Sequence, residues 1–197
     1  KSAFRIAAGL LVVVLTMTGC GQLLPRNGWI PLFDGTSLDN WEPQGAAAWT
    51  LTDGLVQADK SSKGAGFLVT KNSYKDFELR VEFWVSDDAN SGIFMRCAAP
   101  KALTDRTCYE ANIFDKRPDP SYGTGAIVHR AVVNPMPKAG GKWNVYEISA
   151  KGSELTVKLN GAVTVHMNDK ELQNAGPIGL QYGAGVVKFR QVLIKPL

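Results

Sequence analysis

Apolar and polar positions alternate in short runs along most of the chain. Gly, Pro, Asn and Asp separate the runs at intervals of about ten residues, the spacing of a β-sandwich or barrel rather than of helices. The clearest run is Phe77-Glu-Leu-Arg-Val-Glu-Phe-Trp-Val85, which puts Phe77, Leu79, Val81, Phe83 and Val85 on one face and Glu78, Arg80, Glu82 and Trp84 on the other. Further strands are predicted over 54–58, 67–70, 92–97, 108–114, 143–150, 178–182 and 186–194, and helical periodicity is almost absent. In Leu155-Thr-Val-Lys-Leu-Asn-Gly-Ala-Val-Thr-Val-His166, a two-residue Asn160-Gly161 turn would split the apolar residues between both faces. A three-residue loop with Gly161 in a G1 bulge sets Val157 opposite Val163 and Leu155 opposite Val165, so all four share one buried face and His166 lies on the polar one. About 170 residues from Trp29 onward suffice for one domain with its own core.

The start of the chain has a different pattern. Lys1 and Arg5 precede an apolar run from Ile6 to Leu15, followed by Thr16-Met-Thr-Gly-Cys20, with no acid before the cysteine. That run is too short for a transmembrane anchor and ends in small residues, as a signal peptide does. The small-small-Cys ending resembles a lipobox, which implies cleavage before Cys20 and a diacylglyceryl thioether on it; an ordinary signal peptide with an incidental cysteine is the alternative. The expected division is a signal peptide over 1–19, a lipidated tether over 20–28 and a β-sandwich domain over 29–197. With Gly21 after the cysteine, the expected location is the cell envelope, anchored in the outer membrane and facing the periplasm.

Export also bears on the other cysteines. With Cys20 assigned to lipid, Cys97 and Cys108 form a candidate disulfide, which suits an oxidising compartment; two free buried thiols are the alternative. Processing removes Lys1 and Arg5 and no acid, so the formal charge falls from +4 to +2, and no basic cluster interleaved with aromatics suggests nucleic acid. Only His129 and His166 are present and no zinc spacing occurs, so no metal site is expected. Calcium is the weak exception: Asp87, Asp88 and Asn90 could supply oxygen ligands, against the blander reading of a solvated turn. Neither a phosphate loop at 138–142 nor a serine-hydrolase elbow is supported.

What remains is a polar and aromatic set on strands that otherwise bury apolar residues: Trp84, Asn90, Ser91, Arg96, Tyr109, Glu110, Asn112, Asp115 and His129. An Arg and a Glu on neighbouring strands are usually an ion pair, but aromatics beside Asn, Arg and Glu also suit a sugar site, where one group stacks on the ring and the others bind its hydroxyls.

An ordered series of motifs carries a family resemblance. Leu32-Phe-Asp-Gly-Thr-Ser-Leu-Asp-Asn-Trp41 is followed by Phe77-Glu-Leu-Arg-Val-Glu-Phe83, Asn90-Ser-Gly-Ile-Phe-Met-Arg96, Tyr109-Glu110, Thr124-Gly-Ala126, Trp143-Asn-Val-Tyr-Glu147, Leu159-Asn-Gly161 and Gly176-Pro-Ile-Gly-Leu-Gln181. Together they resemble the 3-keto-disaccharide hydrolases, also described as 3-keto-glucoside lyases and hydratases. The resemblance implies an all-β, concanavalin-like jelly-roll sandwich of two antiparallel sheets, acting on glycosides oxidised at C3. The ketone acidifies the C2 hydrogen, an enolate forms, the C1 aglycone leaves by β-elimination, and water can add to the product. On that basis Arg96 would stabilise the enolate, Glu110 would do acid/base work and His129 would be an additional base. Trp84, Asn90, Ser91, Tyr109, Asn112 and Asp115 would bind the sugar. Two positions depart from the family pattern: Asn112 stands where many relatives carry Gln, and Val128-His129 replaces an aromatic-containing stretch. A lectin-like lipoprotein that binds carbohydrate without catalysis is the competing expectation.

Overall fold

The structure, a computed structural model, describes residues 26–197; the expected signal peptide, Cys20 and most of the tether lie outside the described residues. Thirteen strands alternate apolar and polar side chains, and their apolar faces close on each other as two antiparallel sheets. The strands are β1 (Ile30–Phe33), β2 (Trp41–Gly45), β3 (Thr50–Thr52), β4 (Leu55–Ala58), β5 (Gly66–Thr70), β6 (Phe77–Val85), β7 (Ser91–Met95) and β8 (Tyr109–Ile113), then β9 (Trp143–Lys151), β10 (Glu154–Leu159), β11 (Ala162–Asn168), β12 (Gly179–Tyr182) and β13 (Val187–Pro196). Sheet A runs β11-β10-β9-β6-β13-β4-β3, with β1 also on β13; sheet B runs β2-β5-β12-β7-β8. Among the described residues the helical content is two short 3₁₀ turns, Arg26–Gly28 and Pro120–Tyr122. The two-sheet all-β architecture expected from the alternation is therefore present; β1, β2 and β3 are additional to the strands read from sequence.

Alternation decides what enters the core. Phe77, Leu79, Val81, Phe83 and Val85 of β6 meet Leu68, Ile93, Met95, Tyr109, Ala111, Ile113 and Leu180 of sheet B in one cluster. On β13 the apolar positions Val187, Phe189, Val192 and Ile194 change parity, and a register shift between Phe189 and Gln191 makes Arg190 an extra residue, which keeps all four inside.

The β10–β11 hairpin corrects the expected loop. Asn160 and Gly161 both have positive φ, 51° and 83°, and form a two-residue turn with Leu159 opposite Ala162. This twist matches the flanking strands better than the expected three-residue loop. The bulge lies at Thr164 instead, so Val165 faces Val157, Leu155 faces Met167, and Val163 faces Lys158 with 58% of its surface exposed. His166 does lie on the polar face, its Nδ1 2.9 Å from Thr156 Oγ1.

Tyr146 of β9 crosses the sandwich: its buried hydroxyl donates to the Asn112 carbonyl and accepts from Gly125 N at 2.9 Å. Burial raises the phenol above its ordinary range. The contact fixes the segment after Thr124 beside β8, where Asn112 N donates to Ala126 O and Val128 N to Glu110 O. His129 is thereby set at the edge of sheet B, next along the chain from the residue paired with Glu110.

Candidate active site

Strand β8 sends Tyr109, Ala111 and Ile113 into the core, which leaves Glu110 and Asn112 on the outer face of sheet B. Beside them on that face are Gly92 and Phe94 of β7, then Gly179 and Gln181 of β12, by the pairings Gly92↔Asn112, Phe94↔Glu110 and Gly179↔Phe94. The face is roofed at one end. Cys97 and Cys108 are joined as a disulfide, as expected, and the loop between them places Leu103 over Gly179 and packs with Phe67, Val69 and Phe94 as a second apolar cluster. The loop reaches as far as β2, where Gln44 Nε2 donates to Pro100 O at 2.9 Å.

Glu110 is 5% exposed, and its Oε1 lies 2.7 Å from where a Cβ on Gly92 would stand. Gly92 is thus the space that the carboxyl occupies. Burial in this position pushes Glu110 up to about 8, the Asp105 carboxylate adds to the rise, and Arg117 opposes it. A carboxyl so placed is neutral at pH 7 and can donate a proton. Asn112, fully buried, donates Nδ2 to Tyr122 O at 2.7 Å, while its Oδ1 has no donor; the buried Oε1 of Gln181 has none either. His129 Nε2 lies 3.0 Å from Asp105 Oδ2, and its ring centroid is 6.0 Å from that of Tyr122. Glu110, Asn112 and His129 are therefore brought to one region, together with Asp105 and Gln181.

The other expected residues are placed elsewhere. Arg96, 2% exposed and at φ 51°, turns away from Glu110: Nε donates to Lys75 O at 2.6 Å, NH1 to Gly152 O at 2.7 Å, and NH2 to Asp76 Oδ1 at 2.9 Å. It ties the end of β7 to the ends of sheet A strands, so the expected pairing of Arg96 with Glu110 is corrected. Trp84 lies on the outer face of sheet A, opposite Trp143 and under Lys188, with the whole sandwich between it and Glu110. Tyr109 points into the core, where its hydroxyl accepts from Leu172 N at 3.2 Å. Ser91 Oγ donates to Gln181 O at 2.7 Å, where β7 and β12 separate, and the Asn90 backbone bonds to Gly183 and Ala184. Asp115 accepts from Thr124 Oγ1 and from the amides of Ala139 and Gly140, holding the chain after β8. The correction has one physical cause: strand parity and backbone turns, not closeness in sequence, decide the side of a sheet a residue faces.

In the Asp87, Asp88 and Asn90 turn, Asp88 is engaged by its neighbours. Asp88 accepts from Ser86 Oγ at 2.6 Å and pairs with Lys60 Nζ at 3.0 Å; these contacts lower its pKa to about 2. Among the described residues no group of three or more His, Cys, Asp and Glu side chains is gathered as a metal site. An open hollow on the outer face of sheet A, lined by Trp29, Glu78, Arg80, Glu147 and Lys158, lies on the far side of the molecule from Glu110.

Two members of the cluster escaped the sequence reading. Gln181 had a usable signal, because Ile178, Leu180 and Tyr182 read as one face and Gly179 and Gln181 as the other. Asp105 had none, since it lies in an irregular loop that the disulfide, the Leu103 cluster and the Gln44–Pro100 hydrogen bond together hold over the sheet.

The chain as a whole is similar to known proteins. A protein from Bacteroides thetaiotaomicron named 3-keto-disaccharide hydrolase is 35% identical over 78 residues, which span 34% of this chain and 27% of that protein. A Parabacteroides distasonis structure assigned to the glycosyl hydrolases superposes with a TM-score of 0.73 at 27% identity, covering 87% of this chain and 100% of that one. The Bacillus licheniformis β-glucanase, at 12% identity, shares the fold with a TM-score of 0.63 over 88% of this chain and 100% of its own. The family of 3-keto-alpha-glucoside-1,2-lyase-like domains matches residues 28–195, and this chain belongs to it.

Proposed function

We propose that the domain cleaves glycosides that carry a ketone at C3, by elimination through an enolate at the outer face of sheet B. The observation that carries this reading is Glu110, a buried carboxyl raised to about 8 beside the Asp105–His129 pair. Family membership and the B. thetaiotaomicron relative's name support the substrate class. Neutral Glu110 donates to the C3 oxygen as negative charge develops there, the part first expected of Arg96. His129, its Nε2–H directed to Asp105, takes the C2 proton on Nδ1. The C1–O bond then breaks, and the histidinium returns the proton to the departing aglycone oxygen. Addition of water across the new C1=C2 double bond completes a net hydrolysis.

The test compares aryl 3-keto-glucosides with the unoxidised aryl glucosides. Release of the aryl alcohol from the keto substrates alone is expected, with loss of about 10²–10³-fold in Glu110→Leu, the usual effect of removing one oxyanion donor. Deuterium from D₂O should enter C2 of the hydrated product. Equal turnover of both substrate classes would overturn the mechanism, because without the ketone C2–H is not acidic enough to remove. Binding without turnover on any keto substrate would favour the lectin-like reading.

The apolar leader and Thr18-Gly19-Cys20 also support export and lipid anchoring at Cys20 in the outer membrane. Mass spectrometry of the mature N-terminus from cells should show acylated Cys20; an unmodified thiol there would overturn the anchoring. Among the described residues no helix is long and apolar enough to cross a membrane.

A further inference from the structure

Two amide oxygens are buried on the candidate site without a donor, and their spacing has a simple origin. Leu180 pairs with Ile93 and, past a shift of one residue, Ala184 bridges to Asn90, which places Gln181 on the β12 side of Gly92, and Gly92 pairs in turn with Asn112. Gln181, Gly92 and Asn112 therefore form one row across β12, β7 and β8. The residue that lies between the two amide-bearing strands, Gly92, has no side chain. The Glu110 carboxyl reaches over that glycine from the next row. The Asn112 amide is oriented by Nδ2–H donation to Tyr122 O, which turns Oδ1 toward no protein donor. A buried acceptor left without a donor is costly, so each oxygen is a place where a ligand hydroxyl is rewarded. Gln181 and His129 keep part of their surface open to solvent.

We propose that Asn112 Oδ1 and Gln181 Oε1 read the substrate, each accepting one of the two hydroxyls that flank C3 of the sugar ring while the Glu110 carboxyl, held over Gly92, meets the C3 oxygen. This rests on the proposed function above and adds its specificity. A ketone at C3 needs a donor opposite it and its C2 and C4 hydroxyls need acceptors. A neutral carboxyl between two amide oxygens supplies that order of donor and acceptors. The row therefore prefers a 3-keto-pyranoside with free hydroxyls at C2 and C4 over analogues deoxygenated or alkylated there.

The test crosses two near-isosteric variants, Gln181→Met and Asn112→Leu, with aryl 3-keto-glucosides that are intact, 2-deoxy or 4-deoxy. Each variant should lose about 10–100-fold in kcat/KM on the intact substrate, mostly through KM, and each deoxy analogue should cost wild type a similar factor. For each variant, one of the two analogues should cause no further loss, because the hydroxyl it lacks is the one whose acceptor has gone. Losses that multiply for both analogues would overturn the proposal, as would variants that turn over the intact substrate like wild type. Should a variant fail to fold, Asn112→Asp, which keeps an acceptor, and the wild-type response to the analogues still decide: indifference of wild type to both hydroxyls overturns the row. Absence of turnover on every keto substrate would instead sink the enzymatic reading. Calorimetric binding of methyl glucoside and its 2- and 4-deoxy forms would then test the row separately, with binding that ignores both hydroxyls as the overturning result.

Discussion

Replacing Glu110 with Gln should stabilise the protein, and by an amount that depends on pH. The carboxyl ionises near its ordinary 4.5 in the unfolded chain and near 8 in the fold. Between these values the folded state holds a proton that the unfolded state has released, so raising pH favours unfolding. Below pH 4.5 both states are protonated and the effect vanishes; it grows through the interval and is complete above pH 8. A span of about 3.5 pH at about 1.4 kcal/mol each corresponds to about 5 kcal/mol of stability lost by wild type on the alkaline side. The Gln side chain has no proton to release. Urea unfolding of both proteins from pH 4 to 9 isolates the term, since all other titrating groups are shared. The stability difference, variant minus wild type, should rise by about 1.4 kcal/mol per pH unit between pH 5 and 8 and then level off. A difference that stays flat with pH would refute the buried neutral carboxyl and with it the acid role. Glu110→Leu, which removes the donor, should lose turnover, which would make Glu110 a site where stability is given up for function.

Three further outcomes follow from the geometry. Arg96→Met should destabilise by about 3–5 kcal/mol, because it leaves a buried clamp on Lys75, Gly152 and Asp76 unmade; a change below about 1 kcal/mol by urea unfolding would contradict that role. Val163→Thr should change stability by less than about 0.5 kcal/mol and Val165→Thr should cost about 1–3 kcal/mol, a contrast that the expected three-residue loop would not produce. Cys97→Ser with Cys108→Ser should cost about 3 kcal/mol by loop-closure entropy over the separation of 11 residues, and non-reducing peptide mapping of wild type should recover the two cysteines linked.

The amino-acid sequence by itself determined the class of fold. Alternation along β6 and the turn residues between runs leave few arrangements other than two sheets closing on an apolar core, and the ordered motifs pointed to the same family that the comparisons establish. Glu110 and Asn112 were legible as members of one candidate site for the same reason, since alternation marks a polar residue on an otherwise apolar strand; His129, in a turn after Thr124-Gly-Ala126, entered through the family resemblance. Tertiary structure decided the rest. Arg96 continues the parity of Phe94 in sequence, yet a single residue at positive φ ends the strand and swings the guanidinium to the far sheet. Trp84 shares a strand with core residues but faces away on the sheet that does not carry Glu110. Strand order, which no local pattern encodes, made neighbours of Gln181, Gly92 and Asn112, and a loop held by the disulfide, the Leu103 cluster and the Gln44–Pro100 hydrogen bond carried Asp105 to His129. Local alternation fixes only which side of its own strand a residue occupies; pairing across distant segments fixes which residues share that side.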